Sequence, residues 1–399
     1  MRDMTTSPMM LRLMGLAAFS SMASMRVCDP MLIALSHEFQ ATTGDASAVI
    51  AAFAVAYGVL QLVYGPLGDR LGKVQVIMGA TAACALFSAV TALAPSLAVL
   101  VVSRAAMGAA AAGIIPLSMA WIGDQVPYAQ RQETLARLMG ATVTGMMAGQ
   151  WFGGFATENL GWRAAFAVLA MLFLVAAVLL FRHARAGLGA ASAVNADAPA
   201  FSLAAYLAGV VQLLRMPRVR WVLTVVAIEG ALAFGTLAFV PARLTGGFGL
   251  SASTAGGVMV LYGVGGLLYS VFARRWLAWL GETGLALAGS ALIASGLLLL
   301  AWAPVVAWAV LGCFLAGLGF YMLHNTLQTQ ATQMAPQARG TAVTLFACLL
   351  FLGQSTGVVV AAASVDRGWL AVVFTGAALG VLALGALVAR GLQAHHRPV

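Results

Sequence analysis

TGLALAGSALIASGLLLLAWAPVVAWAVLGCFLAGLGFYML, residues 283–323, runs for 41 positions without a charged side chain, and Pro304 interrupts it. A helix rises about 1.5 Å per residue, and about 20 apolar residues cross the hydrocarbon layer. The stretch is too long for one crossing, so it reads as two helices turning near Trp302–Val305. Other runs have the same character; Ala164–Phe181 has no polar residue at all. These runs are continuously apolar instead of alternating, which argues for helices and against an outer-membrane barrel. The same logic places twelve spans near 11–36, 47–66, 74–94, 97–120, 133–157, 162–182, 218–242, 251–273, 283–302, 305–328, 339–362 and 368–389. The Gly and Ala inside them suit close helix packing in lipid.

Composition agrees. Of 399 residues 62% are hydrophobic and only 8% charged, against about 25% charged in soluble domains. A single water-soluble globule is excluded, and so is disorder, which needs low hydrophobicity. The formal charge is +9, but the basic residues sit in short gaps between apolar runs. The bilayer is therefore the expected partner, and nucleic acid is not. Cys28, Cys84, Cys313 and Cys348 each lie in an apolar run without ligand spacing. No disulfide framework, metal site or cofactor is expected from them. The first basic residues precede a long apolar run lacking a cleavage-like end, which reads as a retained span.

Basic residues also set the expected topology. With the N-terminus in the cytoplasm, the inner loops and tails collect sixteen lysines and arginines, among them Arg70, Lys73, Arg131, Arg137, Arg274 and Arg275. The outer side receives Arg163, Arg243 and Arg367, while Arg26 and Arg104 fall inside spans. This bias places both termini inside. Residues 183–217 form the long loop: an Ala/Ser-rich piece, Gly187–Ala200, then Phe201–Leu214, which has the length of a short surface helix. The expected fold is an all-α membrane protein of twelve transmembrane helices in two pseudo-symmetric six-helix bundles, 1–182 and 218–399, joined by a cytoplasmic linker. The halves echo each other. Tyr57-Gly58-Val59 and Tyr64 match Tyr262-Gly263-Val264 and Tyr269; Gly161-Trp162 matches Gly368-Trp369. Two related bundles with a site between them suit transport by rocking.

Several polar residues fall within spans. Charged groups there are costly and belong in a protein interior or a wet cleft. Asp29 lies three residues after Arg26, a spacing that shares a helix face, and Pro30 follows. Asp29 is the first choice for a proton carrier, paired with Arg26 or Arg104; a purely structural pair is the alternative. Glu229, the acid deepest in the second half, is the second candidate for proton coupling, and a neutral acid bonded to a neighbouring helix is its bland reading. Tyr321, His324 and Gln328 form an i, i+3, i+7 stripe in span ten, beside Asn325. They line either a cavity wall or a polar mouth. Phe53, Tyr57 and Gln61 in span two, Met146 and Gln150 in span five, and Gln354 in span eleven complete the candidate substrate contacts, with aromatic or helix packing as the competing account.

With these residues in place, the sequence resembles the major facilitator superfamily. Gly65-Pro66-Leu67-Gly68-Asp69-Arg70-Leu71-Gly72-Lys73 resembles that superfamily's loop signature between spans two and three. Arg104 followed by Gly108 resembles its span-four signature. Gly145, Gly149, Gly153 and Gly154 resemble the span-five pattern of the twelve-span drug–proton antiporters, except that Gln150 stands where that pattern has proline. The resemblance implies gating by Gly65, Gly68, Asp69, Arg70, Gly72 and Lys73, with Asp69 reaching a helix N-terminus or Arg131. It further implies export of a small amphipathic compound in exchange for protons, at a bacterial inner membrane, by a monomer. Uptake of a sugar or organic anion by proton symport is the alternative. No phosphate-binding loop of the Gly-Lys-Ser/Thr type is present, and no motif assembles His324 and Glu229 into an enzyme's acid and base.

Overall fold

The computed structural model describes residues 8–186 and 203–395. The Gly187–Ala200 piece lies outside the described residues. Among the described residues, nine helices are long and apolar enough to cross a membrane. One of them, Ala252–Trp302, turns back at Gly281 and supplies two crossings. Tyr128–Asn159 and the broken helix Pro8–Arg26 plus Leu32–Glu38 bring the crossings among the described residues to twelve. The helices run past the expected spans by several residues. Thr43–Leu71 and Tyr128–Asn159 are examples, because polar turns can extend a helix into the interface. The turn between spans nine and ten falls between Trp302 and Val306, at Pro304. Three expected spans are not continuous helices: span four passes from Leu97–Ala111 to Ile114–Gln125 through a turn at residues 112–113. Span one breaks at residues 27–31, and span seven passes from Pro217–Glu229 through a π-helical turn, Gly230–Phe234, to Gly235–Leu237 and Val240–Phe248. Leu203–Arg215 form a helix ahead of span seven.

The repeat is written in the backbone. Six described residues have φ in the left-handed region: Gln40, Gly72, Gly161, Gly249, Gly281 and Gly368. They fall into three pairs, 40/249, 72/281 and 161/368, separated by 209, 209 and 207 residues. Gly72 (φ 90°) and Gly281 (φ 65°) turn the chain between spans two and three and between spans eight and nine. A residue with a Cβ adopts that conformation only with strain. Caps repeat too. Thr42 Oγ1 accepts the Asp45 N–H at 2.9 Å to start span two, and Ser251 Oγ accepts the Thr254 N–H at 3.2 Å to start span eight. These side chains satisfy backbone donors that the first helical turn leaves free.

Glycine lets the spans meet at backbone distance. Gly145, Gly149 and Gly153 recur every four residues and face the backbone of Phe19, Ala23 and Val27 in span one. Gly353 and Gly357 of span eleven face Ala227 and Ala231 of span seven in the same way. The halves meet along two seams. Span two lies on span eleven, where Gly58 packs on Cys348, and span five lies on span eight, where Gly256 packs on Gln150. Two hydrogen bonds tie the halves at the arginine-poor face: Gly44 N–H to Asp366 Oδ1 at 2.7 Å and Ser253 N–H to Glu158 Oε2 at 2.9 Å. At that face Glu38 also accepts from Trp162 and Arg163, fastening the end of span one to span six. The outward face of span six exposes Val168, Met171, Leu174, Val175 and Val178, a stripe suited to lipid tails.

Gly149→Val is expected to lower the unfolding temperature in detergent by several degrees, because the new Cβ meets the Ala23 carbonyl and overpacking costs about 1–3 kcal/mol. Gly140→Val, where nothing lies within 4 Å, is expected to leave it unchanged. Thermal unfolding of the two variants side by side checks this.

Candidate functional site

The break in span one makes the first half of the site. The helix stops at Arg26, a turn follows, and Asp29-Pro30-Met31 form a short 3-10 segment before the helix resumes at Leu32. Pro30 has no N–H and cannot continue the helical ladder. Arg26 and Asp29 therefore meet across a turn and not along one helical face. Arg26 Nη1 donates to Asp29 Oδ2 at 3.3 Å, and Gln150 Nε2 of span five donates to the same oxygen at 3.3 Å. Arg26 and Asp29 are fully buried and Gln150 almost so. Arg104 is not the ion-pair partner of Asp29. Its guanidinium carbon lies 4.3 Å from the centroid of Phe53 and 5.8 Å from that of Phe166, and Nη1 lies 3.4 Å from Met107 Sδ. All of these neighbours belong to the first half, so Arg104 sits inside that bundle.

The π-helical turn makes the second half of the site. Such a turn holds one extra residue, opens the helix locally and is frequent at functional sites. Glu229 stands at its entrance and is fully buried; Phe234 ends it. Glu229 Oε2 lies 3.0 Å from His324 Nδ1. The His324 ring stacks on Phe320 at 5.0 Å with planes 10° apart, and Phe320 stacks on Phe234 at 5.0 Å and 8°. On Phe234 sits Arg26 of the other half, 3.9 Å from the ring centroid. A cation near a ring face is attracted by the ring quadrupole, more strongly where water is excluded. The two acid–base pairs are thus joined across the seam by a column: Arg26, Phe234, Phe320, His324, Glu229. A second line of rings reaches Arg104. Phe53 stacks on Tyr57 at 5.9 Å, Tyr57 meets Phe351 edge-on at 4.8 Å, and Phe351 lies 6.5 Å from Phe234.

Buried polar atoms without a hydrogen-bond partner concentrate here. Apart from Ser21 Oγ, those among the described residues belong to Arg26, Asp29, Gln61, Arg104, Glu229, Tyr262 and Gln354. Native interiors leave few such atoms, so these residues are the candidates for a polar site. Tyr262 touches the column through Phe320, at 5.9 Å between rings. At the arginine-poor end of the five–eight seam lies a partly open cavity lined by Asp29, Ile33, Thr157, Thr245 and Ala252 among others.

The remaining candidates separate by place. Met146 is buried beside the span-five glycines. Tyr321 packs on Gly266 and edge-on to Phe320. Asn325 Nδ2 donates to the Tyr321 carbonyl at 2.7 Å, so its amide serves its own helix. Gln328 is exposed, and the stripe Tyr321–His324–Gln328 runs from the interior outward to the arginine-rich face. The loop residues lie away from the column. Asp69 does not reach Arg131. Its partner is Lys73 at 3.3 Å, and Lys73 also meets Asp124 of span four at 2.7 Å. Arg131 Nε donates to the Val126 carbonyl at 2.8 Å. Gly68 packs on Leu117, Gly72 makes the turn, and Gly65 and Arg70 face open space or solvent.

Sequence reasoning missed Phe234, Phe320, Phe351, Tyr262 and Asp124. Phe320 stands one helical turn before His324, a spacing that was open to reading. The π-helical turn that positions Phe234 has no such signal. No group of three or more His, Cys, Asp or Glu among the described residues is placed to hold a metal.

Residues 14–358 match the sequence profile of the Major Facilitator Superfamily. The chain is 25% identical over 345 residues to the uncharacterized MFS-type transporter YceJ of Bacillus subtilis, covering 84% of this chain and 83% of that protein. It is 27% identical over 362 residues to a chloramphenicol resistance protein of Streptomyces lividans, with 90% of each covered. The crystal structure of a point mutant of the nucleoside transporter NupG superposes with a TM-score of 0.78 at 13% identity, over 97% of this chain and 99% of that one. The human organic anion transporter MFSD10 gives 0.71 at 17% identity, over 95% and 98%. The chain belongs to the Major Facilitator Superfamily. It is a multi-pass membrane protein and a secondary transporter that moves a small molecule across the bilayer.

Arg26→Met leaves the Asp29 carboxylate buried with Gln150 alone, and breaking a buried pair typically costs about 3–5 kcal/mol. A marked fall in unfolding temperature is expected, with most of it recovered in Arg26→Met/Asp29→Asn, where no charge stays uncompensated. Thermal unfolding at neutral pH of the single and double variants checks the sign of that recovery.

Proposed function

We propose that the protein exports a small amphipathic compound from the cytoplasm in exchange for protons, with both termini cytoplasmic and the arginine-rich face inward. The halves 1–182 and 218–399 rock about the two seams, as a monomer. The observation that carries this reading is the pair of buried acid–base couples, Asp29 with Arg26 and Glu229 with His324, held on opposite sides of the seam by one aromatic column. Protonating Asp29 removes the charge that holds Arg26, and protonating Glu229 removes the charge that faces His324. Either event changes the relative free energy of two arrangements of the halves, which is all that coupling requires. The cavity lined by Asp29 at the arginine-poor face supports proton access from outside. Phe53, Tyr57, Gln61, Met146, Gln150, Tyr321, His324, Asn325, Gln328 and Gln354 are the proposed substrate contacts, from the belt to the inner mouth.

In this account Gly65–Lys73 and Arg131 gate the inner face, where Lys73 links the loop to Asp124 of span four. The drug–proton antiporter group is favoured by the span-five glycines and by the similarity to a protein named for chloramphenicol resistance. One observation favours the symport alternative. Among the described residues Arg104 is a fully buried cation with no acid in contact and two unpartnered nitrogens, and such a group attracts an anion.

Sealed vesicles carrying an internal pH dye test the reading. Under export by exchange, adding chloramphenicol to one side is expected to drive protons the opposite way. Co-directional movement contradicts exchange, and absence of any pH response contradicts proton coupling. Asp29→Asn and Glu229→Gln are each expected to reduce coupled proton movement at least tenfold; full coupling in both variants contradicts the assignment of carriers.

A further inference from the structure

Gln354 is fully buried, and neither its amide nitrogen nor its amide oxygen has a hydrogen-bond partner. Burying an unpaired amide costs about 1–3 kcal/mol on protein scales. Among the described residues with unpartnered buried atoms, this is the one amide that leaves both its N–H donors and its carbonyl acceptor unused. Its place follows from the two–eleven seam. There Gly44 meets Ala362 and Asp366, Gly58 meets Cys348 and Phe351, and Tyr57 meets Phe351. That antiparallel register sets Gln354 level with Phe53, the ring beneath Arg104. On its own helix it stands three residues after Phe351, on the same face. On its other flank its backbone packs against Gly230 and Gly235, which bracket the π-helical turn. Gln354 thus stands at the junction of the aromatic belt, the seam and the turn that carries Phe234.

We propose that Gln354 reads the substrate, and that the substrate is a flat aromatic compound carrying an amide-type edge, an adjacent N–H and C=O. The rings of Phe351 and Tyr57, which meet edge-on, offer an edge and a face for the aromatic body. The amide of Gln354 offers one acceptor and one donor side by side, which pair in register with a second amide, as glutamine pairs with the matching edge of adenine. A site built this way rejects the analogue that lacks the hydrogen-bonding group, because its own buried polar atoms then stay unpaired. Gln354 is held at a stability disadvantage that the ligand removes. This inference rests on the site proposed above for the substrate but not on proton coupling or on the direction of transport.

The test uses the full chain in detergent without a proton gradient, so its outcome is independent of whether exchange occurs. The probes are 2-naphthamide and 1-naphthamide, primary amides whose N–H and C=O lie side by side, each with its counterpart methylated at both amide N–H positions. In the wild type each N–H compound is expected to raise the unfolding temperature and to bind about tenfold or more tightly than its methylated counterpart. Gln354→Leu is expected to raise the unfolding temperature of the ligand-free protein and to bring each pair to equal affinity. A fall in the ligand-free unfolding temperature of both Gln354→Leu and Gln354→Met overturns the proposal, because it shows the amide already satisfied. Unchanged discrimination in Gln354→Leu, or no stabilisation of the wild type by either N–H compound, overturns it as well. Gln354→Met repeats the measurement with an unbranched side chain of similar length, so that a packing defect in the leucine variant does not decide the result.

Discussion

A guanidinium taken out of water has to be met by charge, by acceptors or by ring faces, because the desolvation penalty amounts to several kcal/mol even after relaxation. Arg26 and Arg104 are both fully buried, and the interior is arranged around them. Arg26 receives Asp29 on one side and Phe234 of the other half on its face. Arg104 receives Phe53. Each guanidinium still has two unpartnered nitrogens. The interior is therefore under-compensated at its centre, a poor arrangement for a static core and a suitable one for a molecule that must take up and release a polar guest.

Two departures from regular helix create this centre, one in each half. In span one the helix ends at Arg26 and Pro30 prevents it from continuing, which turns Asp29 back towards Arg26 and Gln150. In span seven the π-helical turn places Glu229 towards His324 and Phe234 under Arg26. The glycine contacts explain why these irregular segments are tolerated. Spans five and eleven lie at backbone distance from spans one and seven respectively, so the irregular segments are buried in protein and not exposed to lipid. The proposed cycle uses this arrangement directly. The column passes between the halves at the Arg26–Phe234 contact, with one acid–base pair in each half at its ends.

Much of this was legible in the sequence, and the reason differs from residue to residue. The 41-residue run ending before His324 specified a hairpin because length alone decides how often a helix crosses a bilayer. The Gly161-Trp162 and Gly368-Trp369 echo turned out to mark equivalent left-handed turns, since only glycine takes that conformation freely. Charged and amide residues inside spans named most of the polar centre: of the site residues with unpartnered atoms, Tyr262 alone was not singled out. Partners were far less legible. Arg26 and Asp29 are near neighbours in sequence, but Glu229 and His324 are 95 residues apart, and no local spacing pairs them. Arg104 lacks an acid partner because spans two and six present rings to it. The aromatic column depends on a π-helical turn that composition does not announce, and Asp69 meets Lys73 and not Arg131 because the Gly72 turn sets the start of the next helix beside the end of the last.

The central claim is that Asp29 and Glu229 are carboxyl groups in a shared interior that exchange protons as the transporter works. Infrared difference spectroscopy on the protein in lipid, stepped between acid and alkaline pH, reads this most directly through the stretching band of protonated carboxylic acids. The account predicts two such bands from buried groups, one lost in Asp29→Asn and the other in Glu229→Gln, and both displaced when a transported compound is added. Bands that persist unchanged in the two variants, or that ignore the compound, would contradict it.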